Sequence, residues 1–122
     1  MGDVQAGYRN VPYHNAGHAI DVTHGLHWLL TSLSGLRGIG DESSMLMASC
    51  LAAMVHDVGH DGVNNVFHIN TSSEHALMYS DQSPLEFHHL AVGFRLIQNS
   101  GLLTPLPFET RRRVRARMIG MV

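Results

Sequence analysis

The fold is decided by residues 45–60, which read MLMASCLAAMVHDVGH. The apolar side chains that follow helical spacing in this stretch are Met45, Leu46, Ala48, Leu51, Ala52 and Val55. We predict that Asp41 caps this helix and that the helix ends at about His56. The negative charge of Glu42 should stabilise the positive end of the helix dipole. Because Ser49 interrupts the apolar run, and the run is shorter than the roughly 20 residues of a membrane span, no membrane segment is expected here.

Further helices are expected on both sides of this stretch. Residues 13–34 carry an apolar stripe made of Ala19, Val22, Leu26, Leu29, Leu30 and Leu33, and Gly35, Gly38 and Gly40 then end the helix. Towards the C-terminus the pattern predicts a loop over 57–65, a short helix over 73–79, a helix over 84–99 and an Arg-rich helix over 108–122. Because no stretch alternates convincingly as a strand does, we predict an all-α fold.

The composition favours an ordered globular domain. Of the 122 residues, 44% are hydrophobic and 15% are charged, which fits neither a disordered nor a fibrous chain. The formal net charge of −2 provides no overall basic field, so no nucleic-acid partner is expected. Five Arg cluster within residues 111–117, and without interleaved aromatic residues they are better interpreted as a solvated helix face. A single Cys and an N-terminus without a signal pattern lead us to expect a cytoplasmic protein.

Ten histidines are the unusual feature of the sequence, because imidazole titrates near neutral pH and binds metals. His14 and His18 are four residues apart on the predicted first helix, which places them on one face about one turn, or roughly 6 Å, apart. His56 and Asp57 lie where the second helix gives way to a glycine loop, so their side chains can converge on one point. Imidazole and carboxylate together are ligands of zinc, manganese, iron and magnesium. A metal site is therefore favoured over a structural helix end, in which His56 would meet the helix dipole and Asp57 would cap a turn.

Three segments together resemble the signatures of a known enzyme family. They are residues 13–22, YHNAGHAIDV, residues 56–65, HDVGHDGVNN, and residues 85–89, LEFHH. In order and spacing they resemble the class I 3′,5′-cyclic nucleotide phosphodiesterases, and the likeness extends over residues 8–122. The resemblance implies a compact helical metallohydrolase of the HD type that opens the cyclic phosphate of cAMP or cGMP to the 5′-monophosphate. Residues 1–122 would then be the N-terminal and central part of the catalytic domain, incomplete at the C-terminus.

The resemblance also implies roles for individual residues. His18, His56 and Asp57 would bind the tighter of two divalent metal ions, zinc, and Asp57 would bridge to the second, magnesium or manganese. His14 would be the general acid, acting with a metal-bridging hydroxide as the nucleophile. This chemistry is coherent, because two cations neutralise the phosphate and make hydroxide available near neutral pH, while a protonated imidazole releases the sugar oxygen.

The remaining matches surround the second metal and the substrate. The residues that would hold the water ligands of the second metal are His60, Glu86 and His89. Tyr13 and Asn65 would lie at the pocket for the cyclic nucleotide. Taken by its spacing alone, Glu86 would instead complete a capping box with Ser83 at the start of the helix over 84–99.

Two residues and the end of the chain depart from the family pattern. Asp61 stands where many members have Pro, and Phe87 stands where Asn is common. The family's further metal-ligand aspartate, its purine-binding glutamine and its aromatic clamp fall beyond Val122, where apolar residues continue without a C-cap. We therefore expect a truncated fragment with little or no activity on its own. Another HD-type nucleotide phosphohydrolase and a non-catalytic helical metal-binding fragment stay open as alternatives, as do the choice between cAMP and cGMP and the oligomeric state.

Overall fold

The computed structural model describes residues 2–32 and 42–122, apart from the side chain of Glu42. Within these residues the chain forms seven helices and no strand, which confirms the predicted all-α fold. In chain order the helices are α1 (Gly2–Gly7), α2 (Ala16–Ser32), α3 (Glu42–Val55), α4 (Asn65–Asn70), α5 (Glu74–Met78), α6 (Pro84–Ser100) and α7 (Phe108–Met121). Leu33, the predicted glycine stop at 35–40 and the predicted cap at Asp41 lie outside the described residues.

Helix α3 is the centre of the packing and contacts α2, α6 and α7. Its buried residues Ala48, Ala52 and Val55 belong to one apolar cluster with Val114 and Met118 of α7. Each of the larger side chains among them, Val55, Val114 and Met118, stabilises the fold by about 1.5–3 kcal/mol when fully buried relative to exposure. The core therefore holds α3 firmly, and with it the turn that leaves the C-terminal end of α3.

Helix α6 approaches α3 closely at Gly93. A Cβ atom at this position would lie 2.7 Å from Cγ2 and 2.8 Å from Cβ of Val55, a core residue that is only 1% exposed. We expect Gly93→Ala to destabilise the protein by about 1–2 kcal/mol, because overpacking outweighs the better helix propensity of Ala. Denaturation by urea measures the change.

The matched control is Gly25→Ala, also within a helix. A Cβ atom at Gly25 meets nothing within 4 Å, so this substitution should stabilise the protein by about 0.5–1 kcal/mol. Equal stability of the two variants would contradict the close contact between α3 and α6.

The structure also contains two short helices, α1 and α4, where the sequence predicts none. Each spans six residues, which is too short for an apolar period of 3.6 to be recognisable. Asn64 begins α4, because its Oδ1 accepts a hydrogen bond from the N–H of Phe67 at 2.9 Å. The same asparagine is typical of a loop in the sequence, which explains why this helix is missed.

Most predicted boundaries lie within two residues of the observed ones. Helix α6, for example, ends before Gly101, whose φ of +68° is the left-handed conformation that a C-terminal glycine provides. The predicted start of the first long helix is wrong, since α2 begins at Ala16 and not at Tyr13.

Among the helices that the structure describes, none combines the length and the apolar character that crossing a membrane would demand.

Candidate metal centre

A tight turn at the end of α3 presents His56 and Asp57 on the surface of the core. The N–H of Val58 donates to the carbonyl of Val55 at 3.1 Å, and the N–H of His60 donates to the carbonyl of Asp57 at 3.0 Å. Val58 is fully buried in the core cluster and anchors the turn, while Gly59 adopts a φ of +80°. The chain turns here because Val58 and Gly59 follow His56 and Asp57. Val58 is drawn into the core, and glycine readily adopts the positive φ that the turn requires.

Asn15 determines how the second part of the site is presented. Its Oδ1 accepts hydrogen bonds from the N–H groups of Gly17 at 3.0 Å and His18 at 3.2 Å, so Asn15 caps α2. His14 therefore precedes the helix, which corrects the prediction that His14 and His18 share one helical face. Their rings nevertheless lie close together, with centroids 5.9 Å apart.

His18, His56 and Asp57 converge on one point. Oδ2 of Asp57 lies 3.4 Å from Nε2 of His18 and 2.9 Å from Nε2 of His56. Two ligands that each lie about 2.1 Å from a tetrahedral zinc ion are about 3.4 Å apart. The three side chains thus have nearly the separations that a zinc ion requires, and their ligand atoms all lie within 4.8 Å of one another.

The hydrogen bonds of His56 leave the correct nitrogen free for a metal. Its Nδ1 lies 2.7 Å from the carbonyl oxygen of Ala53, which can only accept, so Nδ1 carries the hydrogen and Nε2 of the neutral ring keeps its lone pair. That lone pair faces Asp57, and a cation is needed between them. The hydrogen bond to Asp57 likewise raises the pKa of His56, since a proton at Nε2 is stabilised by the carboxylate.

Asp57 is a carboxylate in this environment. Partial burial by itself raises its pKa, but the hydrogen bond to His56 and the neighbouring imidazoles outweigh this effect and lower the pKa below its usual value. A charged carboxylate beside imidazole lone pairs is the donor set of zinc and similar cations. The residues that the structure brings together therefore fit a divalent metal.

The ring nitrogen Nε2 of His60 offers the cleft a hydrogen-bond donor and not a lone pair. Its Nδ1 accepts a hydrogen bond from the N–H of Gly62 at 2.9 Å, so Nε2 carries the hydrogen of the neutral ring. Burial lowers the pKa of His60, which keeps it neutral at pH 7. Although His14, Asp57 and His60 form a second group whose ligand atoms lie within 4.8 Å of one another, the bond from Gly62 favours hydrogen bonding by His60 to a water or an anion.

His14, His60 and His89 form a row of aromatic rings. The His14 and His60 rings stack with centroids 4.0 Å apart, and the His60 and His89 rings stack at 5.5 Å. Nδ1 of the buried His89 lies 2.8 Å from the carbonyl oxygen of Val58 and donates to it, which fixes this ring to the turn after α3. Burial lowers the pKa of His89. Tyr13 covers the outer end, with its ring 5.0 Å from His14 and 4.6 Å from His18.

Asn65, and not Ser83, caps α6. Oδ1 of Asn65 accepts from the N–H of Leu85 at 2.9 Å, and its Nδ2 donates to Oε2 of Glu86 at 2.8 Å. The capping-box alternative is wrong, because Ser83 adopts the left-handed conformation with φ of 40° and makes no side-chain cap hydrogen bond. Glu86 is therefore held by Asn65 at the start of α4, and it lines the same clefts as His14 and His60.

Removing the Asn65 side chain should weaken the start of α6. We expect Asn65→Ala to cost about 1 kcal/mol of stability, since one N–H of the first turn loses its acceptor. Ser83→Ala is the matched control and should change stability by less than about 0.5 kcal/mol. Urea denaturation distinguishes the two, and a larger effect of Ser83→Ala would contradict this account of the cap.

Two adjoining clefts contain most of the residues that the sequence singled out. The first, of ≈ 560 Å³, is lined by His14, His60, Gly62, Val63, Asn64, Asn65, Phe67, Leu85 and Glu86. The second, of ≈ 320 Å³, is lined by His14, His56, Asp57, His60, Leu85, Glu86, His89, Met121 and Val122. These volumes suit a small ligand. Sequence reasoning missed Val63, Phe67 and Leu85, because apolar residues carry no chemical signature of a site.

Comparisons with known proteins agree with this architecture. The family model described as 3′5′-cyclic nucleotide phosphodiesterase matches residues 13–122. The chain is 44% identical to 3′,5′-cyclic-AMP phosphodiesterase 4C of Rattus norvegicus over 117 residues, which are 94% of this chain and 22% of the relative. It is 40% identical to the dual specificity calcium/calmodulin-dependent 3′,5′-cyclic nucleotide phosphodiesterase 1 of Drosophila melanogaster over 94% of this chain and 14% of the relative.

A solved structure has the same fold. The phosphodiesterase domain of the RhoPDE fusion protein from the choanoflagellate Salpingoeca rosetta matches with a TM-score of 0.89 and 38% identity, over 97% of this chain and 37% of that chain. The chain thus spans between 14% and 22% of the length of these curated relatives.

Proposed function

The chain belongs to the 3′,5′-cyclic nucleotide phosphodiesterase family, and on this premise we propose that the protein containing it hydrolyses the cyclic phosphate of cAMP, cGMP or both to the 5′-monophosphate. Residues 1–122 would form the N-terminal and central part of its catalytic domain. The observation that carries the proposal is the convergence of His18, His56 and Asp57 beside a cleft that also contains His14.

His18, His56 and Asp57 would hold the tighter of two divalent ions, zinc, and Asp57 would also reach a second ion, magnesium or manganese. When bound, such a pair of ions neutralises the phosphate and lowers the pKa of water so that hydroxide is available at neutral pH. The chain orients the ligands in advance, because the carbonyl of Ala53 fixes the tautomer of His56. Glu86 and His89 line the same cleft and would hold water around the second ion.

His14 would act as the general acid. Opening of the cyclic phosphate requires O3′ to leave, and without a proton it would leave as an alkoxide. His14 lines both clefts and stacks on His60, a neutral ring that does not compete for protons at pH 7. The imidazolium of His14 would transfer its proton to O3′, and the N–H of His60 at Nε2 would bind a water or a phosphate oxygen. Tyr13 and Asn65 would border the bound nucleotide.

The function is tested on the natural protein that contains this chain. We expect it to convert cAMP, cGMP or both to the 5′-monophosphate, to lose this activity when a chelator removes its metals, and to regain it with zinc plus magnesium or manganese. Product analysis by ³¹P NMR separates the 5′-monophosphate from the 3′-monophosphate, and a 2′,3′-cyclic nucleotide is the control substrate. Absence of hydrolysis of both 3′,5′-cyclic nucleotides under all of these conditions would contradict the proposal.

We further propose that the protein acts in the cytoplasm. The single Cys, which is free, supports a reducing compartment. Fractionation of cells that express the natural protein tests this location, and recovery from a secreted fraction would contradict it.

A further inference from the structure

A second group of histidines lies outside the proposed catalytic centre. We call Asp61, His68, His75 and His88 the α4–α6 cluster, because α4, α5 and α6 each contribute one of its histidines. The His68 and His75 ring centroids are 5.1 Å apart, and those of His75 and His88 are 4.1 Å apart. None of these four residues has a role in the function proposed above, and Asp61 is one of the two departures from the family pattern.

His68 is buried with one nitrogen unused. Its side chain is only 3% exposed, and Nε2 is buried without a hydrogen-bond partner. Nδ1 is engaged by Oγ of Ser73 at 2.8 Å, which fixes the orientation of the ring. A buried polar nitrogen without a partner is costly, so this atom calls for an explanation.

A carboxylate oxygen lies close to this nitrogen. Oδ1 of Asp61 lies 3.4 Å from Nε2 of His68, longer than the roughly 2.7–2.9 Å of a charge-assisted hydrogen bond. The separation matches the edge of about 3.4 Å between two ligands of a tetrahedral zinc ion. It also equals the distance from His18 to Asp57 in the proposed catalytic centre. Burial by itself raises the pKa of Asp61, but the backbone N–H of Val63 and the electrostatic attraction of His68 and His75 outweigh this effect and lower the pKa below its usual value, so Asp61 is a carboxylate.

His75 is placed to complete the group. It is half-buried, and its ring centroid lies 5.1 Å from that of His68 and 4.1 Å from that of His88, so its imidazole is next to His68. His88 itself sits against Gly59, where a Cβ atom would lie 3.0 Å from its Nε2. Burial lowers the pKa of His88 to about 4, so this ring is neutral and adds no positive charge near a cation.

We propose that Asp61, His68 and His75 form a further binding site for a borderline divalent cation of the zinc class, separate from the centre at His18, His56 and Asp57. Two imidazole nitrogens and one carboxylate oxygen are a common three-ligand set for such ions, and water completes the coordination. Because His68 and Ser73 are already positioned, the cation orders little beyond the His75 side chain.

The test measures zinc binding in a chain whose other centre has been disabled. In a His56→Ala background, equilibrium dialysis against zinc with a competing chelator should still detect one bound ion. Asp61→Asn, His68→Gln and His75→Gln should each weaken this binding by at least about tenfold. His24→Gln and Asp81→Asn alter an exposed histidine and an exposed aspartate elsewhere, and they should bind zinc as the background does.

Two further measurements keep the result decisive. Circular dichroism verifies that each variant keeps its helices, and if the background does not fold, the loss of one zinc equivalent is sought in Asp61→Asn of the unmodified chain. Nitrogen NMR of the unmodified chain should show a zinc-induced shift at Nε2 of His68. Equal zinc binding by Asp61→Asn, His75→Gln and the two controls would overturn the proposal and leave an ordinary ion pair. Because the background lacks His56, this outcome is independent of the proposed catalytic function.

Discussion

Asp57→Ala should remove the tightly bound metal ion and lower the rate of cyclic nucleotide hydrolysis by roughly a thousandfold or more. Oδ2 of Asp57 lies within 3.4 Å of Nε2 of His18 and 2.9 Å of Nε2 of His56, so this oxygen is the point on which the group converges. Without it, only the imidazoles of His18 and His56 remain as ligands, and no negative charge balances a divalent cation. A metal ion contributes several kcal/mol to the transition state, and about 4 kcal/mol corresponds to the expected loss.

The measurement needs metal content and rate from the same preparation. The natural protein that contains the chain is purified as Asp57→Ala and as Asp21→Ala, which removes an exposed carboxylate from α2. Bound zinc is determined by elemental analysis and hydrolysis by product formation. Asp21→Ala should retain both, whereas full zinc occupancy in Asp57→Ala would show that the ion is bound elsewhere.

The sequence pattern by itself predicts that His56 and Asp57 lie together at the end of α3. His56 and Asp57 follow an apolar helix whose core-facing residues are unambiguous, so the position of their turn was determined by the burial of α3 and Val58. That His18 would face them depended on the resemblance, because the spacing of His14 and His18 alone does not orient α2 relative to α3. The contact between α2 and α3 is a tertiary property that no local pattern encodes.

The details that orient the site were not predictable in the same way. The predicted first helix, 13–34, includes Asn15, but the side chain of Asn15 caps the observed helix and leaves His14 outside it. Ser83 and Glu86 have the spacing of a capping box, but Asn65, about twenty residues earlier in the chain, takes the cap instead. Both outcomes reflect competition among several side chains for the same backbone N–H groups, and tertiary contacts decide it.

His14→Ala should slow hydrolysis of cyclic nucleotides by about a hundredfold to ten-thousandfold, the usual contribution of a general acid, while the bound zinc remains. His14 precedes α2, and its ring lies 5.9 Å from that of His18, so its removal leaves the group of His18, His56 and Asp57 intact. His24→Ala, which removes an exposed imidazole from α2, is the matched control and should leave the rate unchanged.

The leaving group separates proton donation from simple positioning by His14. A phosphodiester with a p-nitrophenolate leaving group departs as a stable anion and gains little from a proton donor, so His14→Ala should slow its hydrolysis far less than that of a cyclic nucleotide. If the imidazole of His14 only held the substrate in place, His14→Ala would slow hydrolysis of both substrates alike. The loss would then appear mainly as a higher KM. An equal loss for the two substrates would therefore exclude the general-acid role, because proton transfer to O3′ is needed only where the departing oxygen is basic.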